Sequence, residues 1–191
     1  MLTRRKNKAY RSREYLTTKE VYQLISAAGN RGRHKERDRC LILLMFRHGL
    51  RASEAAELKW DAIMLEEAEI SISRAKNSND GTHQLQPDEV EALIKVRELY
   101  PKSYFVFPNE RGEHITPDGI SKIIERAAAD AGLRIKAHPH MLRHSCGYYL
   151  ANQGVPTADI QDWLGHRNIQ NTVKYTAQNP KRFEKFKWDW D

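Results

Sequence analysis

The stretch His138-Pro139-His140-Met141-Leu142-Arg143-His144-Ser145-Cys146-Gly147, followed by Leu164-Gly165-His166-Arg167-Asn168-Ile169 and then Tyr175-Thr176-Ala177, decides how the rest of the chain is read. It predicts helices over 140–153, 157–164 and 168–176. On the first of them His140 and Arg143 stand at i and i+3, so both project from one face and can meet the same ligand. In the second and third, Ile160, Trp163 and Leu164 are apolar, Gly165 supplies the turn and Val173 packs behind. That pattern also scans as a helix-turn-helix.

Upstream, Thr17 and Glu20 have the spacing of a capping box, and Val21, Leu24, Ile25 and Ala28 then share one helical face before Gly29. A helix over 18–28 follows. Cys40 to Phe46 is apolar on nearly every side, which predicts a helix over 35–47 threaded through the core and ended by Gly49. Ser53 and Glu54 open a short third helix, and this places Arg51 in the turn between two helices. Glu69 to Ser73 alternates with Ile70 and Ile72 on one face, the period of a half-buried strand. The turn-rich Asn77 to Gly81 returns it as a hairpin through Thr82–Gln86. Pro87 starts another helix to about Tyr100, Tyr104–Phe107 is expected to add a small third strand, and further helices are expected over 117–131 and 180–187. The fold class is mainly α with a small antiparallel sheet (α+β).

At 191 residues the chain fits one body: a basic N-terminal arm (1–13), a catalytic domain (14–178) and an aromatic C-terminal segment (179–191). The net charge is +7, but Arg4, Arg5, Lys6, Lys8, Arg11 and Arg13 supply six of those charges with no acid among them, leaving +1 for the rest. An anionic partner is implied, nucleic acid first, with those six residues and Arg167 as DNA-binding candidates. The longest apolar run is too short to span a bilayer, and the charged N-terminus lacks the apolar stretch of a secretory signal, so a cytoplasmic, nucleoid-associated location is expected. Two cysteines, Cys40 and Cys146, give neither a metal cluster nor a disulfide framework and read as small core residues.

Taken in order, Arg51-Ala52-Ser53-Glu54, Lys76 on the hairpin, His140-Met141-Leu142-Arg143, Leu164-Gly165-His166 and Lys174-Tyr175-Thr176 resemble the tyrosine recombinases, the phage integrase family. The likeness runs from residue 17 to 177. Within the family, the wording at 138–147, 164–169 and 175–177 is similar to the short invertases that flip promoter segments controlling bacterial fimbriae. The resemblance covers the catalytic domain, so a counterpart of the wider family's separate N-terminal DNA-clamping domain is not expected.

The resemblance implies Tyr175 as nucleophile on a DNA phosphate. With a phenol pKa of about 10 it needs a base and a positive field. Arg51 and Arg143 would each fork two N–H groups onto the non-bridging oxygens, a geometry that suits a planar guanidinium. Lys76 would protonate the leaving 5′ oxygen, His140 would be the general base by its register with Arg143, and His166 would hydrogen-bond a phosphoryl oxygen. Glu54 would orient Arg51, and His144 would support from behind. A 3′-phosphotyrosyl link conserves the energy of the broken bond, so neither nucleotide, cofactor nor metal is expected; no phosphate-binding loop or Mg²⁺ carboxylate cluster stands in the sequence. The expected partners are double-stranded DNA, further copies of the chain in a tetrameric synapse on DNA, and DNA-bending accessory proteins. Inversion between inverted repeats is the expected outcome.

Two other readings compete. A non-catalytic helix-turn-helix regulator with a basic arm has no particular use for Arg51, Lys76 and Arg143. A nicking topoisomerase shares the active-site logic but can act as a monomer. The terminal Phe183, Phe186, Trp188 and Trp190 form too apolar a segment for open water, and are expected to dock on a neighbouring protomer or on their own domain.

Overall fold

Helix α1 (Thr18–Asn30) begins where Thr17 and Glu20 cap each other, Glu20 N donating to Thr17 Oγ1 at 3.3 Å and Thr17 N to Glu20 Oε2 at 2.8 Å. The architecture is that of a computed structural model describing residues 13–75 and 78–177. Val21, Leu24 and Ala28 face inward as their spacing requires. Gly29 does not stop the helix, which runs one residue further before Arg31 turns extended.

Helix α2 (Lys35–Arg47) is the axis of the molecule. Cys40 through Phe46 are all buried, because α1, α4 (Pro87–Leu99) and α6 (Pro139–Asn152) pack around it. Each fully buried aliphatic side chain contributes roughly 1.5–3 kcal/mol of hydrophobic stabilisation, so this all-round burial fixes α2 as a rigid base for the turn that follows. That turn leads to α3 (Ala52–Ala56), with Arg51 at its N-cap.

The sheet has the antiparallel order β1-β2-β3, with β1 at Ile63–Met64, β2 at Glu69–Ile72 and β3 at Gly81–Gln84. Ile70 pairs with His83 and Ile72 with Gly81; Ile70 and Ile72 are buried while Ser71 is exposed, the alternation the sequence implies. The third strand is not Tyr104–Phe107. That segment lies alongside Leu58–Trp60 through Trp60 N→Tyr104 O (3.2 Å), Val106 N→Leu58 O (2.9 Å) and one bridge between Lys59 and Phe105. Pro108, which has no N–H to donate, comes immediately after it. The strand pattern was real, but its partner is too short to form a ladder.

Helix α5 (Pro117–Asp130) completes the main core. A second, smaller cluster holds Cys146, Ala151, Ile160, Leu164 and Tyr175, joining α6 to α7 (Thr157–Leu164) and α8 (Gln170–Ala177). Cys40 and Cys146 are both free and buried. Among the described residues no helix is long and apolar enough to cross a membrane. Lys76, the arm residues Arg4, Arg5, Lys6, Lys8 and Arg11, and the helix expected over 180–187 lie outside the described residues.

Candidate active site

Glu54 is the hub on which the first arginine is set. Its two oxygens accept from Arg51 N (2.9 Å), Arg51 Nη1 (2.6 Å), Arg74 Nη1 (3.0 Å) and Ala75 N (3.0 Å). Burial alone would raise its pKa, but the amides of Arg51 and Ala75 and the neighbouring guanidinium of Arg74 outweigh it and hold the carboxyl at about 2. It is therefore an anion at any working pH. Arg51 leaves 30% of its side chain open to solvent, which suits a group that has still to meet a ligand.

Arg143 comes from the middle of α6 and is only 1% exposed. Its Nη1 donates to Gly49 O and its Nη2 to Leu164 O, both at 2.5 Å. The same side chain thus ties the α2–α3 turn, which carries Arg51, to the end of α7, which leads to His166. Burial lowers its pKa to about 10, with the charges of Arg51 and Arg74 acting in the same direction. Three guanidiniums therefore share one neighbourhood with a single carboxylate.

Tyr175 faces this cluster from α8. Its Oη lies 2.8 Å from Nδ1 of His144, and the ring is 1% exposed. Tyr148 meets it edge-on at 5.0 Å and His166 stacks at 6.5 Å. Gly147 makes this possible: a Cβ there would stand 2.6 Å from Tyr175 Cε2, so only the bare helix backbone lets the ring lie flush on α6. Burial pushes the phenol well above its usual range, although the charge of Arg143 pulls the other way. His144 is driven down to about 3, by burial first and then by Lys174, His140 and Arg143.

His166 follows Gly165, which sits at φ +66° as the left-handed C-cap of α7. A Cβ on Gly165 would meet Asn79 O at 2.5 Å. The close approach is used: Asn79 N donates to Gly165 O at 3.1 Å and Ser78 forms a β-bridge with His166. The hairpin turn is thereby fastened to the His166 turn. His166 Nδ1 is 2.8 Å from Thr172 Oγ1, and its pKa falls to about 4 through burial and then the charges of Arg143 and Arg51. If Thr172 donates, Nε2 carries the ring proton and becomes a donor.

Of the residues read from sequence, Arg51, Glu54, Arg143, His144, His166 and Tyr175 come together. His140 is at the exposed rim, its ring edge-on to His144 at 4.4 Å. Dense protein behind it and the charges of Arg143 and Lys174 lower its pKa. His140 thus lies against His144 on α6, and it is the His144 ring that touches the phenol. Arg167 is exposed beside His166, whereas Arg13 is engaged with Glu20 at 2.6 Å. Sequence reasoning passed over Thr172 and Arg74. A signal for Arg74 existed: it continues the Ile70, Ile72 parity, so its side chain points inward. Among the described residues no group of three or more His, Cys, Asp or Glu is placed to hold a metal. Helix α8 packs against α6 and α7 with Thr172 and Tyr175 inward, so it is not a free recognition helix of the kind a helix-turn-helix regulator presents.

The phage integrase family model matches residues 14–182. The type 1 fimbriae regulatory protein FimB of Escherichia coli K12 is 46% identical over 184 residues, covering 93% of this chain and 92% of that protein. FimE of the same strain is 42% identical over 177 residues, covering 90% and 89%. Among solved structures, the XerH site-specific recombinase bound to its difH substrate in a pre-cleavage complex superposes with a TM-score of 0.76 at 28% identity. The match covers 91% of this chain and 53% of XerH, so the present chain spans about half of that protein's length.

Proposed function

Because the chain belongs to the phage integrase family and is thus a site-specific tyrosine recombinase, we propose that it cuts DNA with Tyr175, holds the strand as a 3′-phosphotyrosyl ester and rejoins it to a new partner. The observation that carries this is the phenol oxygen of Tyr175 hydrogen-bonded to His144 beside a cluster in which Arg51, Arg74 and Arg143 face the single carboxylate of Glu54. Tyr175 Oη attacks phosphorus, the P–O5′ bond breaks, and the phenol proton passes to a histidine. Lys76 supplies the proton to the departing 5′ oxygen. Arg51 and Arg143 neutralise the charge that grows on the non-bridging oxygens, and His166 donates from Nε2. Rejoining is the reverse step with a different 5′ hydroxyl, so the bond count is unchanged and no energy source is consumed.

The substrate is double-stranded DNA, the working assembly is four copies in a synapse, and the outcome is inversion of a segment between inverted repeats with the help of DNA-bending proteins. The likeness to FimB and FimE over nine-tenths of the chain supports this choice over integration or excision. Residues 4–11 and Arg167 contact phosphates around the site. Residues 179–191 dock on the neighbouring protomer; truncation after Asn179 then removes cooperative synapsis but leaves DNA binding, and unchanged self-association would reject that docking.

The decisive test incubates the protein with a nicked suicide substrate carrying its flanking repeats and identifies the residue joined to the 3′ phosphate. The expected residue is Tyr175. Tyr175→Phe binds the same DNA and forms no adduct; an adduct at any other residue, or one that survives this substitution, defeats the assignment.

A further inference from the structure

The Arg74 side chain makes four hydrogen bonds near the site, as many as Glu54, and no step of the proposed reaction is assigned to it. Its side chain is 1% exposed. Nη1 donates to Glu54 Oε2 (3.0 Å) and Gly49 O (3.3 Å), and Nη2 donates to His48 O (2.9 Å) and Trp163 O (2.6 Å). Its own amide donates to Asp80 Oδ1 at 2.7 Å. The acceptors of the guanidinium belong to the end of α2, the α2–α3 turn, α3 and the last turn of α7, while the amide fastens the residue within its own hairpin. One guanidinium therefore joins every element that carries a candidate catalytic group, except α6 and α8.

We propose that Arg74 is a positioning residue that keeps the phosphate clamp both charged and aimed. It acts on Arg51 through Glu54, on Arg143 through the shared carbonyl of Gly49, and on His166 through Trp163 O. The charge balance explains why a cation is needed there. Glu54 and Arg51 alone form a neutral pair at 2.6 Å, and a neutral pair offers little to a phosphate. With Arg74 on the other carboxylate oxygen the trio carries a net positive charge, and Arg51, the more open of the two arginines, is left with field to spend on a ligand. Without Arg74, both oxygens of Glu54 turn toward Arg51 and hold it back. Buried as it is, Arg74 does not touch the ligand itself.

The inference rests on the reading that Arg51 and Arg143 bind the scissile phosphate, and the same substrates test the two separately. A phosphodiester needs its negative charge neutralised; a methylphosphonate at the scissile position, in which a methyl replaces one non-bridging oxygen, is neutral and does not. Full-length wild type, Arg74→Gln and Arg74→Lys are compared for DNA affinity and for single-turnover adduct formation on both substrates. Arg74→Gln is expected to keep DNA affinity within about threefold, because many other phosphate contacts contribute. It should slow adduct formation on the phosphodiester about 10²-fold, because Arg51, held back by Glu54, then stabilises the developing oxyanion less, an effect of the size of one lost oxyanion donor, and recover to within about tenfold of wild type on the methylphosphonate. Arg74→Lys, which keeps the charge but not the fork, should fall between. An equal deficit on both substrates means that Arg74 only supports the fold, and no deficit on either removes the proposal altogether. If Arg74→Gln does not fold by thermal melting, Arg74→Lys decides by the same ratio of rates. Should wild type form no Tyr175 adduct on the phosphodiester, the underlying reading falls and the proposal falls with it.

Discussion

Gly147→Ala is a single methyl placed against the ring of Tyr175, the proposed nucleophile. In the interior of an ordinary helix this exchange stabilises by roughly 1 kcal/mol. Here the added Cβ would stand 2.6, 2.7 and 2.8 Å from Cε2, Cδ2 and Cζ of Tyr175, whereas carbon atoms rest about 3.5–4.0 Å apart. The ring must therefore retreat by about 1 Å. Overpacking of that size costs about 1–3 kcal/mol, so the net destabilisation is about 0–2 kcal/mol, and the melting temperature falls by no more than about 8 °C in a chain of this length. The chemistry suffers more. A retreat of about 1 Å takes Oη out of hydrogen-bond reach of His144, now at 2.8 Å, and misplacement of a reacting group by that distance costs about 10²-fold in rate. The assay pairs a thermal melt with single-turnover cleavage of a nicked suicide substrate, and DNA affinity serves as the control. Cleavage at the wild-type rate, or faster, would refute the claim that the flush packing of Tyr175 on α6 sets the attacking geometry.

Three further outcomes are expected. Thr172→Val keeps the shape of a fully buried side chain but removes the partner of His166 Nδ1; cleavage should fall about tenfold, the equivalent of one hydrogen bond of roughly 1.4 kcal/mol, with DNA affinity unchanged, and an unaltered rate would show that the ring needs no such orientation. Acid should destabilise the fold early. His83 and His144 at about 3 and His166 at about 4 all lie below the ordinary value near 6.5. The unfolded chain therefore binds more protons, and stability is lost as pH falls from about 6.5 toward those values, by on the order of 2–3 kcal/mol per histidine at pH 4. Glu54, at about 2, adds a further loss below its ordinary range. Denaturant midpoints at pH 7, 5.5 and 4 check this, and a midpoint constant from pH 7 to 5 contradicts it. Deleting residues 1–12, which carry five positive charges, should flatten the slope of log K against log salt by up to about 4.5; an unchanged slope marks the arm as idle.

Helix positions were legible because they depend on local period and punctuation. The Thr17–Glu20 cap, Pro87 at a helix start and the all-apolar Cys40–Phe46 run each specify their element without reference to distant residues. Tyr104–Phe107 misled because a β pattern states a readiness to pair and not the identity of the partner. The site was legible as a set of residue types in order, yet not as contacts. His144 and Tyr175 are 31 residues apart, and whether His140 or His144 reaches the phenol depends on how α8 lies against α6, which Gly147 permits. Arg74 went unrecognised for a similar reason: strand parity tells that it points inward, while its partners on α2, α3 and α7 are fixed only by tertiary packing.

In the proposed reaction the protonation balance of the site bears on when Tyr175 can give up its proton. Burial raises the phenol of Tyr175 above its usual range and pushes its partner His144 down to about 3. A separated phenolate–imidazolium pair is out of reach in this arrangement, because the acid has been made weaker and the base weaker still. After burial, the charges of Lys174 and Arg143 worsen the second problem, since each opposes a proton on the His144 imidazole. In the proposed complex a phosphodiester held by Arg51 and Arg143 opposes that field. Its negative charge offsets the guanidiniums and restores basicity to the histidines, while the arginines stabilise the charge that develops as the P–O bond forms. The proton can then leave Tyr175 during attack and not before it. In the proposed reaction Arg143, which lowers the basicity of His144 in the resting site, is also one of the two arginines that neutralise the phosphate during attack, so one cation acts in both states.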